Sequence, residues 1–238
     1  MKKSTLSLSL AVAALVLGGC SGSPDGPSGT AKSSAAQGQS SSQICDGILG
    51  KSGGSAVEKI TRSKGFSDSD EDESLKVQPI ARAAGQLEQE AIPGRNGKRV
   101  YICLFRSTDK STSGSFQIST RWIRMKSSEY VTSSSESRTI FPLSKNGKPG
   151  QLPYASASDA GVWLGLRCPV GPGKQGDVVL SVNTLTWRLD SYRNLDKPEL
   201  LTRISHSAAR KLAEQMGCAS NMASPEGLQH LSPLPEKP

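Results

Sequence analysis

The sequence runs to 238 residues, with 29 Lys and Arg against 21 Asp and Glu, a formal charge of +8 and only 5% aromatic residues. A chain of that length can build one domain with a real core, while its modest apolar content assigns much of it to surface, loop and tail. Five cysteines and two histidines, His206 and His230, argue against a metal centre, because no two cysteines lie close together in the sequence.

Taken in chain order, residues 1–19 read as a signal peptide. Met1-Lys2-Lys3 is a positive n-region, Leu6 to Leu17 is an apolar run of h-region length, and Gly18-Gly19 are small enough for a peptidase cleft. The run is too short to span a bilayer, which takes ~20 apolar residues. Leu17-Gly18-Gly19-Cys20 resembles the lipobox of bacterial lipoproteins. The resemblance implies diacylglyceryl attachment to the Cys20 sulfur, cleavage before Cys20 and an added acyl chain. Two or more chains anchor stably, at ~0.8 kcal/mol per buried methylene. The expected location is therefore the cell membrane, lipid-anchored on the extracytoplasmic face. Loss of Lys2 and Lys3 with the signal lowers the charge from +8 to +6. A mildly basic surface in that place meets anionic headgroups, a cell-wall polymer or an envelope protein, and no nucleic acid is expected.

Residues 20–42 form a lipidated linker rich in Ser and Gly, with a root-mean-square reach of roughly 25 Å. Lipidation of Cys20 leaves Cys45, Cys103, Cys168 and Cys218, an even set that reads as two disulfides with three possible connectivities. Cys45 to Cys103 and Cys168 to Cys218 is the preferred pairing, since each would tie a terminal segment to the strand nearest in sequence. Loops of about fifty residues make each bridge worth ~4 kcal/mol in a chain-entropy model.

Ile44, Ile48 and Leu49 have helical spacing around Cys45; Gly50, Gly53 and Gly54 interrupt it, and Ser55 with Glu58 has capping-box spacing for a second short piece carrying Val57 and Ile60. Asp68 to Glu73 has three alternating aspartates but lacks the Gly and Glu of a calcium loop, so it reads as a solvated acidic loop. Pro79 to Ile92 is a helix with Ile80, Ala84, Leu87 and Ala91 on one face. Strands follow at Arg99 to Phe105 and Phe116 to Met125, the second with Phe116, Ile118, Thr120 and Trp122 on one side and Gln117, Ser119 and Arg121 on the other. Thr139 to Leu143 is a short edge strand containing Pro142. Gly161 to Cys168 and Asp177 to Leu189 form a hairpin across a Gly/Pro connector. Asp196 and Glu199 then cap a helix with the stripe Leu200, Ile204, Ala208, Leu212 and Met216, stopped by Gly217.

Cys45-Asp46-Gly47, Cys103, Arg167-Cys168-Pro169 and Lys211-Leu212-Ala213-Glu214 leading to Gly217-Cys218 together resemble a group of actinomycete surface lipoproteins of unassigned function. That resemblance covers Ile44 to Ala219 and implies envelope location and disulfides, with no activity attached.

The search for chemistry yields little. Ser55 lacks the second glycine of a nucleophile elbow, and Ser107-Thr-Asp-Lys110 has penicillin-binding spacing without its companion motifs. His206 lies off the apolar stripe and is expected to face solvent, while His230 lies in the tail. Three clusters join basic and aromatic residues: Arg121-Trp122-Ile123-Arg124, Trp163 with Arg167, and Trp187-Arg188. On one face they would hold a sugar ring or an anion, but alternation turns Arg121 and Trp122 apart, which favours core tryptophans beside solvated arginines.

The predicted architecture is a single α+β domain at residues 43–219, followed by a disordered tail at 220–238. It contains N-terminal helical segments, an antiparallel sheet of four to five strands, a closing amphipathic helix and two disulfides. The expected function is a non-catalytic binding or interaction module at the envelope, with an envelope hydrolase acting on wall material as the alternative. No cofactor is expected, and the sequence names no ligand.

Overall fold

A computed structural model describes residues 38–68, 75–92, 94–109, 114–126, 129, 135, 137–144, 151–189, 196–224, 228 and 232–234, all within one unit spanning 36–238. Cys20, the leader, most of the linker, the acidic run after Asp68 and His230 lie outside the described residues.

The chain order is α1 (Ile44–Gly47), α2 (Gly50–Thr61), β1 (Phe66–Asp68), α3 (Ile80–Gln89), β2 (Val100–Ser107), β3 (Ser115–Arg124), β4 (Thr139–Pro142), β5 (Tyr154–Ser158), β6 (Gly161–Leu166), β7 (Val178–Trp187) and α4 (Lys197–Gln215). The strands form one sheet in the order β1-β2-β3-β7-β6-β5-β4, with every ladder antiparallel. After the β2-β3 hairpin the chain crosses to the far edge, then meanders back through β5 and β6 until β7 zips against β3 along ten residue pairs. The class is the α+β one expected, but seven strands replace four or five. The two unforeseen strands have weak signals: β1 is three residues long, and β5 is Tyr-Ala-Ser-Ala-Ser, whose small side chains carry little hydrophobic contrast.

One face of the sheet is covered by helices. Phe116, Ile118 and Trp122 of β3 turn inward with Phe105, Leu164, Leu180 and Val182, and meet Leu201, Ile204, Ala208 and Leu212 of α4. Trp122 is fully buried and its indole N–H donates to the Leu87 carbonyl of α3 at 2.8 Å, which satisfies its polar end. The Asp196 side chain accepts from the Glu199 N–H at 3.1 Å and starts α4; Gly217, at φ +69°, ends it.

The glycines of α2 do not break it. Helix α2 is continuous over twelve residues, and Ser55 is an exposed mid-helix residue rather than a cap. A Cβ on Gly53 would lie 2.9 Å from Ser207 Cβ on α4, and one on Gly54 would lie 2.8 Å from Ser41 Oγ. Glycine here permits close approach, of α4 at Gly53 and of the turn before α1 at Gly54, and packing outweighs the helix propensity lost.

Both disulfides are present in the preferred pairing, with Cys45–Cys103 joining α1 to β2 and Cys168–Cys218 joining the end of β6 to the end of α4. Cys45 and Asp46 adopt left-handed backbone angles, at φ 51° and 56°, and the Asp68 carboxylate accepts from the Cys45 N–H at 3.0 Å, which bends α1 towards its bridge.

The domain boundaries lie outside the expected ones. Gln39, in the presumed linker, exchanges two backbone hydrogen bonds with Phe66, and Ser41 is buried, donating to Glu58 at 2.6 Å. In the segment expected to be a disordered tail, Met222, Ala223, Leu228 and Leu234 are buried. Apart from the adjacent Met222 and Ala223, these apolar residues stand singly in a polar, proline-rich stretch, so periodicity had nothing to register.

Candidate functional site

The sheet face turned away from the helices is built from the alternate residues of the same strands, and much of it is itself enclosed: Ser119, Ser181, Ser156, Tyr154 and Ile140 are buried. Across it, register aligns Arg121 of β3, Ser181 of β7, Gly165 of β6 and Tyr154 of β5 in one row. The neighbouring row is Ser119, Asn183, Trp163 and Ser156. Small residues at the centre of the first row leave a trough, and large ones rise at its sides.

Gly165 is what lets the indole lie along the sheet. A Cβ at that position would come within 2.4 Å of Trp163 Cη2, so any larger residue would lift the ring. Tyr154 packs against the indole at 5.2 Å between centroids, tilted by 53°. Beneath them Ile140 and Leu234 form a small second apolar cluster, flanked by Met125 and Leu152.

The trough opens into a cavity of about 330 Å³ whose wall, among the described residues, holds four arginines, Arg95, Arg121, Arg124 and Arg138, with one acid, Glu129. Two of the cations are matched. Arg95 pairs with Glu129, and Arg124 pairs with Asp177 at 2.7 Å while also donating to Gln175. The Arg124 hydrogen bond, reinforced by its charge, holds the Asp177 pKa below the ordinary carboxylate value.

The other two are not matched. Arg138 is exposed and donates to the Ser156 hydroxyl at 3.3 Å. Arg121 is half-buried, its Nε is enclosed without a hydrogen-bond partner, and no acid pairs with it among the described residues. Burial first, and then the charge of Arg99, lower its pKa from the usual guanidinium value. A guanidinium cannot shed its proton at neutral pH, so a desolvated and uncompensated cation faces the trough. Carboxylate and phosphate are the groups whose geometry its planar fork matches.

Of the three basic-aromatic clusters in the sequence, the structure assembles parts of two. Trp122 is in the core, as expected, but Arg121, Ile123 and Arg124 share the cavity with Trp163. Arg167 instead bonds the Gly176 carbonyl at 2.8 Å, and Trp187 stands 45% exposed at the other end of β7, opposite Ser115. The alternation argument separated neighbours within β3 correctly; it could not say that β3 and β6 would be brought to the same face two strands apart. Tyr154 and Ser156 were missed with the strand that carries them.

The remaining candidates are structural. His206, expected to face solvent, is fully buried, with neither ring nitrogen hydrogen-bonded. The reason is that Ala223 and its neighbours cover the side of α4 that the stripe leaves bare, and Arg210 donates to the Ala223 carbonyl at 2.9 Å. Ser107 ends β2, and its hydroxyl accepts from the Asp109 N–H at 3.1 Å; Lys110 lies outside the described residues. A second cavity of about 220 Å³ is bounded by Cys45, Asp46, Asp68, Gln78 and Leu104, next to the first disulfide. Among the described residues no group of His, Cys, Asp and Glu is arranged to hold a metal ion, and no helix is long and apolar enough to cross a membrane. No family model, curated protein or solved structure matches this chain.

Proposed function

We propose that this chain is a lipid-anchored extracytoplasmic binding module that holds an envelope component in the cavity on the sheet face opposite its helices, without transforming it. The observation that carries the binding role is the trough beside Arg121, where a cation with no acid paired to it among the described residues and the aromatic pair Trp163 and Tyr154 line one concave surface. Two disulfides suit an oxidising compartment, and the stretch from Leu17 to Cys20 supplies the reason to expect a lipid anchor there. The rival reading, an envelope hydrolase, would need a base beside a nucleophile. His206 is enclosed in the core and the Ser107 hydroxyl is held by its own turn, so no observation among the described residues favours it.

Cell fractionation tests the anchor. Cys20→Ala should move the protein out of the membrane fraction or leave it as uncleaved precursor, and normal retention with normal processing would overturn the assignment. Co-sedimentation tests the binding role. The full chain, purified in detergent, should pellet with isolated envelope fragments in low salt, and its remaining in the supernatant would overturn that part.

A further inference from the structure

The geometry points to an anionic sugar, a pyranose ring bearing a carboxylate or phosphate, as the ligand of the trough on the sheet face opposite the helices. This assignment rests on the binding role proposed above and names the chemistry of its ligand.

Three features fix that chemistry. First, among the described residues the cavity wall holds four arginines against one glutamate, and the two acids that pair with them, Glu129 and Asp177, are spent on Arg95 and Arg124. Arg121 and Arg138 therefore keep guanidinium N–H groups for an external oxyacid, Arg138 beyond the one it gives to Ser156, and the enclosed Nε of Arg121 marks a head group partly stripped of water. Desolvation of this kind makes an ionic contact stronger than it would be at an exposed site.

Second, Trp163 is laid along the sheet over Gly165 and braced by Tyr154. One face of the indole is committed to the protein, so the platform stacks a ring from one side. The apolar face of a pyranose fits such a platform, while the exposed Asn96 in the lining suits ring hydroxyls. Third, a cavity of about 330 Å³ lies at the small end of the range for ligand sites, ~300–1,000 Å³, which suits one sugar unit, free or as a residue of an acidic polymer.

The test is titration of the full chain in detergent, followed by calorimetry and by tryptophan fluorescence, with five probes: glucuronate, glucose 6-phosphate, glucose, inorganic phosphate and AMP. Glucuronate or glucose 6-phosphate should bind at least about tenfold more tightly than glucose or phosphate alone, since the charged contact and the stacking contribute together. The order between the two acids identifies the anionic group. Arg121→Met should weaken that binding by about tenfold or more, and Trp163→Leu should weaken it while leaving a residual salt-sensitive affinity. Arg138→Gln, at an exposed position, should lower affinity and leave the far-UV circular dichroism spectrum unchanged.

Equal affinity for glucose would overturn the anionic part. Phosphate as tight as glucose 6-phosphate would overturn the sugar part, and preference for AMP would replace the sugar with a nucleotide. Loss of none of the affinity in Arg121→Met and Arg138→Gln would remove the site from this face. Envelope co-sedimentation together with silence from all five probes would overturn the ligand class while leaving the binding role standing.

Discussion

His206 offers the sharpest test of how the core is put together. Its ring is fully enclosed on α4, and its pKa is pushed down to about 4, first by burial and then by the charge of Arg210; the Ala223 carbonyl favours the protonated form but is not placed to hydrogen-bond the ring. An unfolded chain would titrate this residue near 6.5. The unfolded state therefore takes up the proton first as pH falls, so stability is complete above pH ~6.5 and declines down to pH ~4. A shift of about 2.5 units at 1.36 kcal/mol per unit amounts to ~3 kcal/mol. The assay is urea denaturation, with disulfides intact, of the natural protein and His206→Leu at pH 7, 5.5 and 4. Carboxylates titrate in both chains and cancel in the difference. Leu fills similar space and removes two unpartnered nitrogens, so the variant should be within ~1.5 kcal/mol of the parent at pH 7. It should gain on the parent by ~3 kcal/mol on going to pH 4. Parallel stability profiles across that range would refute the buried, neutral histidine.

Three further outcomes follow from packing and capping. Cys218→Ser should cost ~4 kcal/mol in denaturant unfolding, and an unchanged midpoint would mean that the bridge at the end of α4 contributes nothing. Gly53→Ala sets ~1 kcal/mol of helix propensity against overpacking of ~1–3 kcal/mol, because the new methyl would meet Ser207 Cβ at 2.9 Å. The net loss should be about 1 kcal/mol, and a gain would show that α2 has room to shift from α4. Asp196→Ala should lower stability by about 1 kcal/mol through loss of the bond to the Glu199 N–H, detectable as fraying at the start of α4 by amide exchange.

The parts of this fold that announce themselves in sequence are those with a strong local rule. Helix α4 carries its cap, its stripe and its stop in consecutive residues, and β2 and β3 are long apolar or alternating runs between turn signals. The parts that do not are governed by partners far along the chain. Gly53 and Gly54 look like breakers until the neighbour they admit is known. His206 looks exposed because the residues that cover it come after the helix, singly, from a segment with no periodicity. The trough is the extreme case. Each row of it takes one residue from each of four strands, and Arg121 reaches the same face as Trp163 only because β7 lies between them with a register that no short window of sequence encodes. Aromatic and basic residues were visible as candidates; the shared face was not.

The two chain ends of the folded unit also have a joint consequence for self-association. A seven-stranded sheet has two edges, and an unpaired edge is a template on which another copy can add a strand. Here Gln39 closes on Phe66 along β1, while the opposite margin is guarded from beyond α4, where the Leu234 N–H bonds the Ile140 carbonyl of β4 and Met222 and Ala223 pair beside Leu143 and Ser144. Short segments that resemble tether and tail thus act as bolts at either end of the sheet. A protein trimmed to residues 43–219 would keep both disulfides and its central core yet bare both margins. Polymerisation through strand addition would then be its characteristic failure, a hazard greatest where many copies are held side by side on one surface.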